Sequence, residues 1–268
     1  MSTVGLTLRQ VRFTNKAFWR NPASAFFTFA FPLMFLVIFT ALLGGGEILI
    51  QGTDLKQTTY YVVAMATFGV VSACYTNIAI SVCFNRDAGI LKRTRGTPLP
   101  GWSYLTGRVI HAMIVGAILV LITLLFGQAF YDGTFPTGSA LLEFVVTFLV
   151  GALAFSALAL ALTSAIPNAD AAPPIVNASI LPLLFLSGIF FPIGDNSPAW
   201  IKFIGDVFPV KHFADAMRSA YLSKVVITTP AGPVHPFVFH WNDLLVIAIW
   251  GLIGLVLAAR YFSWEPRK

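Results

Sequence analysis

Charge is what this sequence has least of. Of 268 residues, 17 are Lys or Arg and 11 are Asp or Glu, 10% in all, against 57% hydrophobic. Soluble domains run near ~25% charged, so the composition excludes a water-soluble enzyme or binding module and implies an integral membrane protein. Cysteine is almost missing: there are 2, Cys74 and Cys83. On one helix, at ~100° per residue, they point to opposite sides, so no disulfide framework holds the chain, and they read as small apolar residues. No Gly-Lys pair occurs, which removes the G-x-x-x-x-G-K-[ST] phosphate loop; Gly44-Gly45-Gly46 runs into Glu47 instead. The chain carries no ATP site of that kind. Ionisable groups deep in the apolar runs are scarce too. Glu143, His111, Asp170 and Asp243 fall near span ends or in a turn, at spacings that suggest neither a metal site nor a proton relay. An ion-coupled transporter normally keeps a charge at mid-depth.

Long apolar runs are what the chain does have. Six of them, about 24–43, 59–83, 104–130, 140–166, 171–191 and 243–261, match the ~20 residues that carry a helix across a bilayer. A polar, basic stretch ahead of a full-length first run predicts a retained span and not a cleaved signal peptide. Basic residues set the orientation. Arg9, Arg12, Lys16 and Arg20 precede span one, and Lys56 alone follows it. Arg86, Lys92, Arg93, Arg95 and Arg108 flank the loop after span two, none follows span three, and Arg260, Arg267 and Lys268 end the chain. The positive-inside rule then places both termini and the basic loop in the cytoplasm. The expected fold class is an all-α integral membrane protein with six transmembrane helices, multi-pass in the cell (plasma) membrane. The segment after span five, outside by parity, carries slightly more basic than acidic residues and strains that rule. The net charge of +6 sits beside apolar spans, where it meets anionic headgroups; no nucleic-acid partner is expected.

Residues 1–22 form a predicted cytoplasmic unit ahead of the six-helix domain at 23–268. On a helical wheel Arg9, Arg12, Lys16 and Arg20 fall within about 80° of one another. Val4, Leu8, Val11, Phe18 and Trp19 occupy the adjacent arc. That is either an interfacial helix on an anionic leaflet or an ordinary juxtamembrane anchor, and Asn21-Pro22 ends it. Span five opens with Pro173-Pro174 and carries Pro182 mid-span, which predicts a kinked helix packed inside the bundle. Residues 193–225 read as an extracellular re-entrant segment. Ser197-Pro198 caps a first piece with Trp200, Ile201, Phe203, Ile204, Val207 and Phe208 at helical spacing; Pro209 breaks it; Phe213, Met217, Ala220 and Tyr221 mark a second. Each piece is too short and too charged to span.

The densest signal is Asn85 to Pro100, NRDAGILKRTRGTPLP. Apolar Ala88, Ile90 and Leu91 alternate with charges, and Gly96-Thr97-Pro98 stops any helix. The pattern predicts a short amphipathic helix at about 85–97, lying across the cytoplasmic mouth of the bundle and offering side chains to a partner. A six-helix permease without an energy source, carrying such a helix, calls for a separate ATPase subunit.

The stretch Phe84 to Leu99 resembles the F-x-R-E-x-G-x-L-x-x-x-x-x-T-P-L signature of type-2 ABC exporter permeases, with Asp87 where Glu is usual. Leu186-Ser187-Gly188-Ile189-Phe190-Phe191-Pro192, then Pro198-x-Trp200 and Phe208-Pro209-x-x-His212-Phe213-x-Asp215-x-x-Arg218, resembles that family's second signature. The likeness is to the daunorubicin-resistance and nodulation-export branch and runs the length of the chain. It implies that Arg86, Asp87, Gly89, Leu91, Lys92, Arg93, Thr97 and Pro98 form a coupling helix that docks into a nucleotide-binding subunit. It implies an interface helix beside it, carrying Arg9, Arg12, Lys16, Trp19 and Arg20. It also implies two ATPase copies holding ATP and Mg, no cofactor on this chain, and a second permease subunit paired through spans two and five. Two local readings stay open. The basic side chains can serve headgroups and topology, and Asp87 can bridge to Arg86, Lys92 or the interface helix instead of meeting a partner.

The expected substrate path rests on two stripes. Tyr61, Met65, Phe68, Ser72, Tyr75 and Ala79 share a face of span two; Asn177, Leu181, Leu184 and Phe185 share one of span five. Phe68, Ser72, Tyr75, Asn177, Leu181 and Phe185 would suit a lipophilic or amphiphilic substrate, or simply pack on neighbours. Pro182, Gly188, Phe190, Phe191 and Pro192 form a candidate outer gate, with Gly188 allowing close approach of a dimer mate. The rival readings are a lipid-modifying enzyme using His111, His235 or His240 with Asp243 or Glu143, and a channel or ion-coupled transporter.

Overall fold

The computed structural model describes residues 3–43, 56–131, 133, 135–193, 197–223, 227–229, 232–234 and 239–265. The Gly44–Glu47 stretch, His235, Arg267 and Lys268 lie outside the described residues. Helices dominate: α1 (Thr3–Trp19), α2 (Pro22–Leu43), α3 (Gln57–Val71), α4 (Asn77–Asp87), α5 (Ile90–Arg95), α6 (Gly101–Phe130), α7 (Ser139–Thr163), α8 (Ala172–Phe185), α9 (Ala199–Val207), α10 (Pro209–Leu222) and α11 (Trp241–Tyr261). Two three-residue strands, β1 (Ile227–Thr229) and β2 (Gly232–Val234), pair antiparallel. Among the described residues, five helices are long and apolar enough to cross a membrane: α2, the continuous rod α3–α4, α6, α7 and α11.

The expected fifth span is shorter than its apolar run. α8 has 14 residues, which at ~1.5 Å per residue is roughly 21 Å against the ~30 Å of a hydrocarbon core. Pro182 therefore lies in the last turn of a short helix and kinks no long one. Leu186 N–H still closes onto the Pro182 carbonyl at 3.0 Å, and then the backbone turns, with Gly188 at φ +77°. Only glycine takes that conformation without cost.

The rod α3–α4 is the centre of the bundle: 78% of its most apolar window is buried inside the chain. α6 packs on it antiparallel, Val62 against Gly127, Gly69 against Leu119, and Cys74 against Gly116. α7 and α11 approach most closely where Gly251 faces Ala154 and Gly254 faces the Ala157–Leu158 backbone. A Cβ on Gly254 would lie 2.8 Å from Leu158 N, which is the small-residue packing that membrane helices use in place of a hydrophobic drive. α10 wedges between α3, α7 and α11. Phe213 sits over Gly151 and packs on Phe155 at 5.3 Å, and Phe208 stacks on Trp250 at 5.5 Å. Gly151 and Trp250 are near the middles of their helices, so the α9–α10 hairpin reaches well into the bundle.

Contacts mark the two ends. At one end α1 lies on α6, with Gln10 against Gly107, and Trp264 rests on Gly101 and Tyr104. α5 and the α7–α8 turn are at that same end, joined to α4. At the other end Tyr60, in the first turns of α3, donates its hydroxyl to the Gly188 carbonyl.

Between α3 and α4 the rod carries a π-helical turn, Ser72–Thr76. The sequence gives no breaker there, and the turn was not expected. It inserts one residue into the register, which rotates later positions by about 100°.

Candidate functional site

The basic loop begins with a buried cation. Arg86 is 1% exposed, and its guanidinium closes the C-terminal end of α7. Nη1 donates to the Thr163 carbonyl at 2.9 Å, and Nη2 to the carbonyls of Ile166 at 2.8 Å and Pro167 at 3.3 Å. The last carbonyls of a helix lack intrahelical partners, and a cation is favoured there. Asp87 completes the clamp. Oδ1 accepts from Arg86 Nε at 3.3 Å, and Oδ2 accepts from the Ala169 backbone N–H. The bridge from Asp87 to Arg86 is present within the chain. Arg86 and Asp87 thus tie the end of α4 to the turn that leads into α8.

The outward face of the loop is made by other residues. Gly89 adopts the left-handed conformation, φ +70°, directly before α5, and nothing lies within 4 Å of where its Cβ would be. Its conformation, not crowding from its own chain, calls for glycine. Leu91 is fully buried and anchors α5, while Ile90, Lys92, Arg93, Arg95, Thr97 and Pro98 are exposed. This is an amphipathic turn held by one leucine, with one apolar and several cationic side chains exposed on its outer side, Arg93 donating to the Ala88 carbonyl at 3.2 Å.

α1 presents Arg9, Arg12, Lys16 and Arg20 on its exposed side, flanked by exposed Leu8, Phe13 and Trp19. Val11 and Phe18, expected on the membrane-facing arc, turn partly inward, and Phe18 meets Trp19, Phe29 and His111 edge-on.

The substrate stripes divide. Phe68, Ser72, Asn177 and Leu181 line one cavity of about 490 Å³ between α2, α3–α4 and α8, together with Phe31 and Asn77. Tyr75 lies past the start of the π turn and faces the other way: its hydroxyl pairs with Ser179 Oγ at 2.9 Å beside a second cavity, toward α7 and α11. Phe185 stands exposed at the end of α8.

The candidate gate residues also separate. Phe190, 4% exposed, is the centre of an aromatic cluster, with Phe185 at 4.9 Å, Phe68 at 5.5 Å, Phe39 at 5.7 Å and Phe35 at 6.0 Å. Phe191, Pro182 and Pro192 are exposed. Gly188 faces its own chain: its carbonyl accepts from Tyr60 and from Arg218 Nη2 at 3.2 Å, and a Cβ there would lie 3.3 Å from Arg218 Nη2.

His212, Asp215 and Arg218 of the second signature belong to a polar network in the α9–α10 hairpin. Lys211 pairs with Asp206 at 2.5 Å and Asp215 at 3.8 Å, and Asp215 pairs with Arg218 at 3.0 Å. Arg218 also lies 4.5 Å over the Tyr60 ring. His212 Nδ1 faces the Asp243 carboxylate at 2.7 Å, and Nε2 faces the Asp206 carbonyl at 2.9 Å. Both ring nitrogens meet acceptors, so only the imidazolium satisfies them, and the hydrogen bond to Asp243 raises the His212 pKa above its ordinary value. The i, i+3 and i, i+4 spacings of Lys211, Asp215 and Arg218 were visible in the sequence; the long-range partners Gly188, Tyr60 and Asp243 were not. Among the described residues, those of the enzyme reading do not converge: His111 lines a groove beside α1, His240 is exposed, Glu143 lies on α7, and Asp243 is engaged by His212.

Among the described residues, a helical bundle with five helices able to cross a membrane, an exposed basic turn and two largely apolar cavities is the outline of a multi-pass membrane protein. The chain belongs to the ABC-2 type transporter family, whose profile matches residues 7–222. It is 27% identical over 224 residues, 81% of this chain and 75% of the relative, to the daunorubicin resistance ABC transporter permease protein DrrB1 of Streptomyces coeruleorubidus. It is 27% identical over 144 residues to the probable multidrug ABC transporter permease YbhR of Escherichia coli K12, covering 54% of this chain and 38% of that one. With YbhS of the same organism it shares 27% over 181 residues, 67% of this chain and 44% of the relative. The chain thus spans less than half the length of the two Escherichia coli relatives.

Proposed function

We propose that this chain is the transmembrane subunit of an ATP-driven exporter. It moves a lipophilic or amphiphilic substrate (a drug, lipid or glycoconjugate), powered by two copies of a separate ATPase subunit that hold the ATP and Mg. The observation that carries this reading is the clamped docking turn. Ile90, Lys92, Arg93 and Thr97 face outward from a helix pinned by Leu91, and Arg86–Asp87 link that helix to the start of α8. A push from a closing ATPase pair on α5 would therefore reach the α8 wall of the 490 Å³ cavity. A cavity of that size suits a drug-sized amphiphile. DrrB1, YbhR and YbhS carry drug-resistance or multidrug names, which supports the substrate class.

The contacts at the two ends support six crossings, with α8 and the 186–190 turn making the fifth, and both termini in the cytoplasm. A second permease copy would meet α8, whose Asn177, Leu181, Pro182 and Phe185 remain exposed. The α3–α4 rod is largely covered by its own chain and has little face left to offer. An impermeant thiol reagent added outside should label Lys56→Cys and spare Arg93→Cys; labelling at position 93 refutes the orientation. The function itself is tested in vesicles that hold this chain together with an ATPase subunit that co-purifies with it. Ile90→Asp, on an exposed position, should abolish ATP-dependent dye export while leaving the melting temperature unchanged. Export at the wild-type rate by that variant refutes the docking assignment.

A further inference from the structure

A groove of about 690 Å³ opens between α1, α4 and α6, next to the 490 Å³ cavity, with which it shares Ser24 and Asn77. Phe13 and Phe84 stand exposed at its mouth, and Arg108, Asn77 and His111 lie further in. Arg108 is seven residues into α6, roughly 10 Å below the helix start, and His111 is roughly 15 Å below it. The groove therefore descends from the interface into the depth of one leaflet.

Its charge is not balanced. Arg108 donates to Ser81 Oγ at 2.7 Å and to the Tyr104 hydroxyl at 3.0 Å, both neutral groups. Among the described residues no carboxylate lies within ion-pair distance of it, and no acidic residue lines the groove. A guanidinium held at this depth beside two hydroxyls and the Tyr104 ring, 5.6 Å from its centroid, with no carboxylate, favours an anion. His111 gives a second, independent sign. It is 6% exposed, it lines the same groove, and its Nδ1 has no hydrogen-bond partner. A neutral imidazole protonated at Nδ1 would donate to an oxyanion. Ala17, Phe18, Ile78 and Ile80 supply apolar wall, so the groove fits a ligand with an anionic head and a hydrocarbon body.

We propose that this groove binds an anionic phospholipid of the leaflet on the α1 side, with its phosphate on Arg108 and an acyl chain along the apolar wall. The cationic arc of α1, with Arg12, Lys16 and Arg20 exposed, would gather such lipids at the entrance. The side of the membrane rests on the orientation proposed above, but lipid binding does not, and the test reads binding and not export.

The full-length chain in a neutral detergent is titrated with phosphatidylglycerol, read by melting temperature and by cross-linking of a photoactivatable phosphatidylglycerol. Phosphatidylglycerol should raise the melting temperature and label peptides from 77–90 and 104–112. Diacylglycerol, lacking the phosphate, should do neither. Arg108→Gln removes a charge-assisted hydrogen bond and should raise the half-saturating lipid concentration by about tenfold or more. Arg108→Lys should stay within about threefold, and the exposed Arg95→Gln within about twofold. Equal loss on Arg95→Gln would mean diffuse surface charge and overturns the site. Displacement of the label by millimolar inorganic phosphate overturns the lipid assignment in favour of a free anion. If Arg108→Gln does not fold, the wild-type labelling map decides: label confined to other helices overturns the proposal.

Discussion

Replacing Arg86 by Met tests whether the residue beside the docking turn is structural before it is anything else. The side chain is 1% exposed and donates to the carbonyls of Thr163, Ile166 and Pro167 and to Asp87. Methionine fills a similar volume with no donor. It leaves three carbonyls and a carboxylate without their cation, and breaking a buried charge arrangement from one side typically costs about 3–5 kcal/mol. At about 2–4 °C per kcal/mol for a domain of this size, the melting temperature in detergent should fall by roughly 6–20 °C. Arg95→Gln, on an exposed cation of the same loop, should stay within about 0.5 kcal/mol. Asp87→Asn should fall between them, because an amide oxygen can still accept from Ala169 N–H while the charge is lost. Melting of Arg86→Met within about 2 °C of Arg95→Gln would refute the clamp, since the described partners of that guanidinium are all clamp groups.

Much of this arrangement was legible because it is written in periods and breakers. The apolar runs set α2, α3–α4, α6, α7 and α11, and Pro209 separates α9 from α10 as its missing N–H requires. Leu91 as the one buried anchor of α5 follows the alternation of apolar and charged residues. What was not legible depends on partners far along the chain. Arg86 and Arg93 are both arginines in one basic loop, yet the α7 carbonyls, some 80 residues on, take Arg86 inward. The π turn at Ser72–Thr76 has no sequence breaker, so Tyr75 was placed on the face of Phe68 when it turns toward Ser179. Gly188 was read as room for another chain; Tyr60 and Arg218 of its own chain occupy that room.

Gly89→Asn should cost little and keep export, because Asn tolerates the left-handed region, whereas Gly89→Val should lose about 1–2 kcal/mol per the same steric argument. Equal melting temperatures for the two would refute the conformational role. For His212, the folded pKa is raised, so the stability its imidazolium adds is full below the ordinary pKa of about 6.5 and disappears as pH rises through the raised value. Asp206, Lys211, Asp215 and Asp243 are the charged groups around it. Wild-type protein should melt progressively lower as pH rises above about 6.5, and Asp243→Asn should flatten that slope; an unchanged slope refutes the assignment. The outer aromatic cluster separates a packing role from a gate by comparing neighbours. Phe190→Ala empties the centre of a cluster built from three stretches of chain and should cost about 3–5 kcal/mol. Phe191 is 50% exposed, with its ring centroid 6.0 Å from Phe39 and 6.3 Å from Phe185, so Phe191→Ala should leave melting within about 1 kcal/mol. A gate at this end then requires Phe191→Ala to change dye export without a change in melting. If export falls only in Phe190→Ala, and in step with its stability, the cluster is packing and the gate lies elsewhere.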